Sequence, residues 1–298
     1  MEKKNNWKAW LYLAPVIILL AVFTFYPLIS TIGIAFTKNY NYMTQSGEGF
    51  AGFANFKAVL SKSEVIKYAI PNTLIVVFVT VPASIVIALL IAVGLNSIKP
   101  LKKLFQTIFF MPYVTNAIAV GMVFAVVFSN NGLWNVIFNS LGKHWIDSGA
   151  SSSYGMTALC IYIIWHALPY KILIFLSGLQ NIDKQYYQAA SIDAAGKFKT
   201  FMNVTVPLLS PQILYIMITS FIGSFKEYSS VVGLFNAPGT TTSGSYNMYT
   251  IVYFIYDTIR GNFTNQVYLG SAAAVMLFII ILIFTVIQFA VSNKRVHY

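Results

Sequence analysis

The sequence predicts an all-α integral membrane protein that crosses the bilayer six times, and three observations carry that expectation. Of its 298 residues, 57% are hydrophobic and only 9% charged, with a mean hydropathy of +0.70, whereas a water-soluble domain carries about 25% charged residues. The charges are also segregated. Uncharged stretches of 29, 31, 39, 23, 26 and 33 residues separate Lys8 from Lys38, Lys67 from Lys99, Lys103 from Lys143, Asp147 from Lys171, Lys199 from Lys226 and Arg260 from Lys294. Each stretch holds the ~20 apolar residues of one spanning helix, and none comfortably holds two. The same composition excludes a disordered chain. The single cysteine excludes a disulfide framework and a Cys-based metal site.

In order, the spans are expected at 10–36, 69–95, 104–128, 156–178, 207–235 and 268–291. The first is too long for the apolar region of a cleaved signal and is expected to be retained. Met248–Tyr256 is apolar but short and follows the polar stretch Asn236–Asn247, so it reads as an interfacial or re-entrant helix. The organisation divides into 1–67 (tail, first span and first outer loop) and a five-helix core over 68–298. With the N-terminus inside, eleven of the 19 basic residues fall on inner segments and six on outer ones, which places both termini in the cytoplasm. The net charge of +11 therefore records membrane orientation, and nucleic acid is not an expected partner.

The longest inner segment, 181–206, is unlike a simple turn. Asp183 can cap a helix by accepting its first amides, and Gly196 can terminate it. Between them lies an expected twelve-residue helix whose small residues Ala189, Ala190, Ala194 and Ala195 allow close approach of another surface. A second short helix is expected from Lys197 to Thr205, ahead of Pro207.

This segment resembles the EAA loop of permease subunits of binding-protein-dependent ABC importers, the carbohydrate type above all. The resemblance rests on Gln188-Ala189-Ala190, Ala194 and Val204-Thr205-Val206-Pro207. The flanks Ser177-Gly178-Leu179-Gln180, Ile192-Asp193 and Leu208-Leu209-Ser210-Pro211 match as well. It extends to Gly52-Phe53-Ala54-Asn55-Phe56, Asn72-Thr73, Gly132, Asn135 and Phe225-Lys226. Three features depart from the pattern. Gln188 replaces its Glu, Ala194 replaces its Gly with Gly196 two residues on, and Ala237-Pro238-Gly239 stands near the place of a Gly-Gly-Pro.

The resemblance implies a type I importer permease fold and a coupling helix seated on a cytoplasmic ATPase, with Tyr187, Gln188, Ala189, Ala190, Asp193, Ala194 and Gly196 at the contact. It implies as partners a second similar permease, two copies of the ATP-binding subunit and an extracytoplasmic solute-binding protein, in a bacterial plasma membrane. ATP and Mg would sit in the partner. This chain has no Gly-rich phosphate loop and is expected to hold no cofactor and to hydrolyse nothing.

Polar residues inside spans are costly and point to function. In the fifth span Ser220, Gly223, Ser224 and Glu227 fall at i, i+3, i+4 and i+7, one helix face. In the fourth, His166, Tyr170 and Ser177 form a stripe flanked by Trp165 and Lys171. A sugar is bound by hydrogen bonds and by aromatic stacking on its ring faces. Trp165, Tyr170 and Phe225 are the candidates for stacking, and Ser224, Glu227 and His166 for hydrogen bonds, with Ser220 and Lys171 completing the expected substrate path. In the maltose-type permeases that the chain resembles, sugar contacts lie on these two helices.

A plainer reading makes Ser220 and Gly223 a packing face and Lys171 with Glu227 an ion pair between spans. The isolated His144 and His297 argue against a metal site. The competing function is an ion-coupled secondary transporter, which calls for an inverted repeat and ion-binding acids. No clear repeat is visible, and Glu227 is the only acid within a span.

Overall fold

The computed structural model describes residues 6–98, 102–138, 145–146, 152–235, 248–260 and 266–292. The stretch Asn236–Asn247 with Ala237-Pro238-Gly239, the residues His144 and His297, and the terminal lysines lie outside the described residues. The described chain is helical: α1 Trp10–Ala35, α2 Ala54–Ser61, α3 Val65–Ser97, α4 Lys102–Val114, α5 Ala117–Phe128, α6 Leu133–Ile137, α7 Ser152–Asn181, α8 Lys184–Ile192, α9 Lys197–Leu208, α10 Ser210–Phe225, α11 Ser229–Phe235, α12 Ile251–Arg260 and α13 Val267–Ser292. Among the described residues five helical stretches are long and apolar enough to cross a membrane, six if α9 and α10, bent by 67°, count as one span.

Two expected spans are broken. The third stops at Val114 and restarts at Ala117. Between them Asn116 takes an extended conformation, and its side-chain oxygen accepts the amides of Ile118 (2.9 Å) and Ala119 (3.3 Å). An asparagine that caps the next helix competes with continuing the previous one. The fifth span bends at Leu209, ahead of Pro211, and breaks again at Lys226–Tyr228 before α11. Counting uncharged residues registers neither break.

Prolines shape the other spans. Five-residue π turns end at Phe25, Ala69, Thr80 and Thr205, each two residues before a proline (Pro27, Pro71, Pro82, Pro207). Proline has no N–H and its ring crowds the carbonyl four residues back; a widened turn relieves that crowding. Hydroxyls in the same helices bond back to the carbonyl four residues earlier: Thr31 to Pro27 O (2.8 Å), Thr73 to Ala69 O (2.7 Å) and Thr80 to Val76 O (2.7 Å).

The chain forms two compact units, 1–62 with 254–278, and 63–253 with 279–298. In the first, the Asn55 amide donates to Ala35 O (2.8 Å) and Thr37 O (2.9 Å), satisfying the last carbonyls of α1. Phe36 packs against Phe50, Phe53 and Phe56 beside it. In the same unit Gly270 lies so close to Thr258 that a Cβ there would sit 2.0 Å from its Oγ1.

In the second unit, Val81, Ile85, Ala88, Ala92 and Leu95 make one buried stripe of α3, packed with Ile172, Phe175, Leu176 and Leu179 of α7. The helices α5 and α11 cross through glycines. A Cβ on Gly121 would lie 2.8 Å from Gly233 Cα, and one on Gly233 would lie 2.9 Å from Ile118 O. This is close packing of the kind small residues give membrane helices.

Candidate functional site

A cavity of about 290 Å³ opens within the second unit. The α7 stripe supplies Ile163, His166, Ala167, Tyr170 and Lys171 at helical spacing. From α10 come Thr219, Ser220, Gly223 and Ser224, with Glu227 at the break, Ser230 in α11 and Tyr113 on α4. Of the expected path residues, His166, Tyr170, Lys171, Ser220, Ser224 and Glu227 are thus brought together.

Trp165 and Phe225 are not. Trp165 packs on Phe124 (ring centroids 4.9 Å apart), and Phe225 is buried against Phe284 (5.3 Å). Each is one residue, about 100° of helix, off the lining stripe. The aromatic wall consists instead of Tyr170 stacked on Tyr113 (5.5 Å, 16° between planes), with the Tyr170 hydroxyl 3.0 Å from that of Tyr215. Tyr113 lies on a different span, and stripe analysis of one helix at a time gives no sign of it. Thr219 and Ser230 are missing from the stripe read in the sequence: Thr219 lies four residues before Gly223 on the same face, and Ser230 lies past the break.

The charged residues do not pair with each other. Lys171 is 5% exposed and donates to Ser84 Oγ (2.5 Å), whose own hydroxyl is directed at Thr80 O. Lys171 therefore holds α7 to α3. The Glu227 carboxylate accepts the amide of Ser230 (2.9 Å) in the first turn of α11, where a helix end favours negative charge. Its carbonyl accepts from Thr250 Oγ1 (3.2 Å).

Further bonds tie the same region. Thr73 Oγ1 accepts Ile251 N (3.1 Å) at the start of α12, and the Asn72 amide donates to Tyr249 O (3.0 Å). The Asn72-Thr73 pair thus secures the segment that Thr250 joins to the break. His166 Nε2 is buried without a partner, a deficit of about 1–3 kcal/mol until a hydroxyl or water meets it.

The second candidate region is the loop 181–206. Asp183 caps α8, its side chain accepting Gln185 N (3.0 Å). The helix is nine residues long and ends earlier than expected, because Ala194, not Gly196, makes the turn. Ala194 has φ +51°, with Ala195 N bonded to Ala190 O (2.9 Å) and Ala194 N to Ser191 O (3.1 Å). These are the paired bonds of a helix closed by a left-handed residue. Gly196 has φ −63° and begins α9. The position that the motif gives to Gly is thus left-handed here with Ala in place.

Two faces of α8 differ. Gln188, Ala189 and Asp193 are exposed, and Ile192 is 85% exposed. Ala190 is buried in the chain's own packing, while Tyr187 is half-buried with its hydroxyl 3.3 Å from Thr205 Oγ1. Ile192 is thus an apolar side chain exposed between polar neighbours, as is Phe198 of α9 at 77% exposure.

Proline-bent apolar helices around an open cavity edged with polar side chains, with a structured loop presenting an exposed helix face, define a polytopic membrane transport subunit. The family model for the inner membrane component of binding-protein-dependent transport systems matches residues 84–298, and the chain belongs to that family: it is a permease subunit of an ABC importer. It is 31% identical over 293 residues to the arabinooligosaccharides transport system permease protein AraP of Bacillus subtilis (strain 168), covering 96% of this chain and 88% of that one. It is 29% identical to the sn-glycerol-3-phosphate transport system permease protein UgpA of Rhizobium meliloti (strain 1021), covering 99% and 97%.

A chain of a bacterial ABC transporter involved in the import of the acidic polysaccharide alginate superposes with a TM-score of 0.78 at 19% identity, covering 98% of this chain and 96% of that one. The fold is the type I importer permease fold. ATP hydrolysis belongs to a separate subunit. Nothing in these likenesses supports the ion-coupled alternative.

Proposed function

We propose that this chain is one half of the membrane pathway of an importer for a neutral sugar or oligosaccharide. The observation that carries the reading is the 290 Å³ cavity. Its Tyr113–Tyr170 wall suits a sugar ring face, and Ser220, Ser224 and Glu227 suit its hydroxyls. Lys171 and Glu227 balance in charge, which fits an uncharged solute. Relatives named for arabinooligosaccharides and for multiple sugars support the same class.

A second, similar permease completes the pathway, and one of the transporter's two ATP-binding subunits docks on the exposed face of α8 around Gln188, Ala189, Ile192 and Asp193. A solute-binding protein delivers from the outer side, and both termini are cytoplasmic. ATP and Mg stay with the partner. Affinity purification of the tagged chain from its native membrane tests this. An ATP-binding subunit co-purifies with the wild type. Ala189→Asp places a charge on the exposed face and removes the subunit while leaving the permease folded. Retention of a normal complex by that variant refutes the docking face.

A further inference from the structure

The coupling helix has a second, inward face, and behind it lies a cavity of about 360 Å³. We propose that this cavity binds a phosphate group bearing net negative charge, carried by an anionic phospholipid of the cytoplasmic leaflet or by a free phosphate compound. The inference goes beyond the transport reading and rests on it only for the orientation that places α8 and α9 at the inner surface.

The lining of the cavity carries the chemistry. Tyr187, Ser191, Thr200, Thr205 and Lys197 surround it, with Phe201 and the end of α3 as its apolar side. Among the described residues its lining has one cation, four hydroxyls and no carboxylate, unlike the solute cavity, where Lys171 faces a region that also holds Glu227. Donors remain available for an anion. Tyr187 and Thr205 share one hydrogen bond (3.3 Å), so one of their two protons is free. Ser191 has no side-chain partner among the described residues, and the Lys197 ammonium makes no ion pair among them. Thr200 is the exception, its hydroxyl donating to Gly196 O (3.2 Å). An ammonium and two free hydroxyls match the several oxygens of a phosphate.

Two further observations place the cavity where such a group is found. Tyr187 and Ser191, four residues apart on α8, line it together with Ala195 past the turn, while Gln188, Ala189 and Ile192 are exposed and do not. A subunit docked on the exposed face therefore leaves the cavity side uncovered. Phe198 (77% exposed) and Met202 (47%) follow Lys197 on α9, with Lys199 between them. Exposed apolar side chains interleaved with lysines are the signature of a segment lying in the headgroup region, where anionic lipids are attracted.

The test uses the purified full chain in maltoside detergent. Phosphatidylglycerol and phosphatidylcholine retention are read by native mass spectrometry, and inorganic phosphate binding by calorimetry. One phosphatidylglycerol is retained per chain in preference to phosphatidylcholine, and Lys197→Gln weakens that retention about tenfold, as loss of one charge-assisted hydrogen bond does. Ser191→Ala weakens it in the same direction, and Lys184→Gln and Lys199→Gln, which do not line the cavity, leave it unchanged. Inorganic phosphate binding that Lys197→Gln removes, without lipid preference, supports the site and assigns it to a free phosphate compound. Two results overturn the proposal: no binding of either probe, or equal losses in all three lysine variants, which would report a diffuse basic surface. Because binding is measured in detergent, a reversed orientation in the membrane leaves these outcomes unchanged and is distinguished from them.

Discussion

Two substitutions with the same chemistry, Gly121→Ala and Gly94→Ala, are expected to move stability in opposite directions. Both glycines lie inside helices, so alanine in either place favours the helix by about 0.5–1 kcal/mol. Gly94 of α3 has nothing within 4 Å of its added Cβ and receives that gain alone. At Gly121 the Cβ would lie 2.8 Å from Gly233 Cα, 2.9 Å from Gly233 C and 3.3 Å from Leu234 N. These are backbone atoms of α11, which no rotamer change can withdraw, so α5 and α11 must separate. Overpacking of this kind costs about 1–3 kcal/mol, leaving a net loss of about 0.5–2 kcal/mol. At roughly 2–4 °C per kcal/mol, Gly94→Ala raises the Tm by about 1–4 °C and Gly121→Ala lowers it by about 1–8 °C. Thermal unfolding of the purified chain in detergent, followed by tryptophan fluorescence, measures both. A rise for Gly121→Ala comparable to that for Gly94→Ala refutes the glycine crossing.

The other predictions follow from the same geometry. Ala194→Gly relieves a left-handed alanine worth about 1–2 kcal/mol, against about 0.4–1 kcal/mol of greater freedom in the unfolded chain. The variant is therefore at least as stable as the wild type by thermal unfolding and still co-purifies with its ATP-binding subunit. Glu227→Gln keeps an oxygen for Ser230 N and an unchanged Tm, but uptake of the sugar delivered by the binding protein falls about fivefold as a charged acceptor becomes neutral. Glu227→Ala additionally loses the helix cap, about 0.5–2 kcal/mol. Lys171→Met replaces a buried ammonium by an apolar chain of similar volume while Ser84 keeps its bond to Thr80 O. Stability within about 1 kcal/mol of wild type is expected, and a loss above about 3 kcal/mol would show that Lys171 is indispensable to α3–α7 packing.

Charge segregation made the spans legible because moving a charge into hydrocarbon is costly, and sequence cannot evade that rule. The stripes on α7 and α10 were legible for a related reason: a polar face must point at something other than lipid. What stayed hidden depended on backbone geometry or on a second helix. The break at Asn116 is announced only by an asparagine before Ala-Ile-Ala, a weak signal inside an apolar run. Tyr113 reaches the cavity through tertiary packing of α4 against α7, which no single-helix period records. Ala194 hid its role because alanine is the residue least expected in a left-handed turn, so the sequence directed attention to Gly196.

The two broken spans break at the same place in space. The gap between α4 and α5 follows Tyr113, and the gap between α10 and α11 contains Glu227; both residues line one cavity. Interrupted helix in a membrane exposes amides and carbonyls that lipid cannot satisfy, so such breaks are tolerated where they face protein or a polar cavity. Asn116 and Glu227 satisfy the amides at the two restarts with their own side chains. Beyond the breaks, α5 and α11 pack on each other through Gly121 and Gly233. Before them, α4 and α10 both pack on α7. The polar cavity and the interruptions therefore require each other: the cavity gives the freed backbone a place to face, and the interruptions bring Glu227 and Ser230 into the cavity at an angle that a continuous fifth helix would not present.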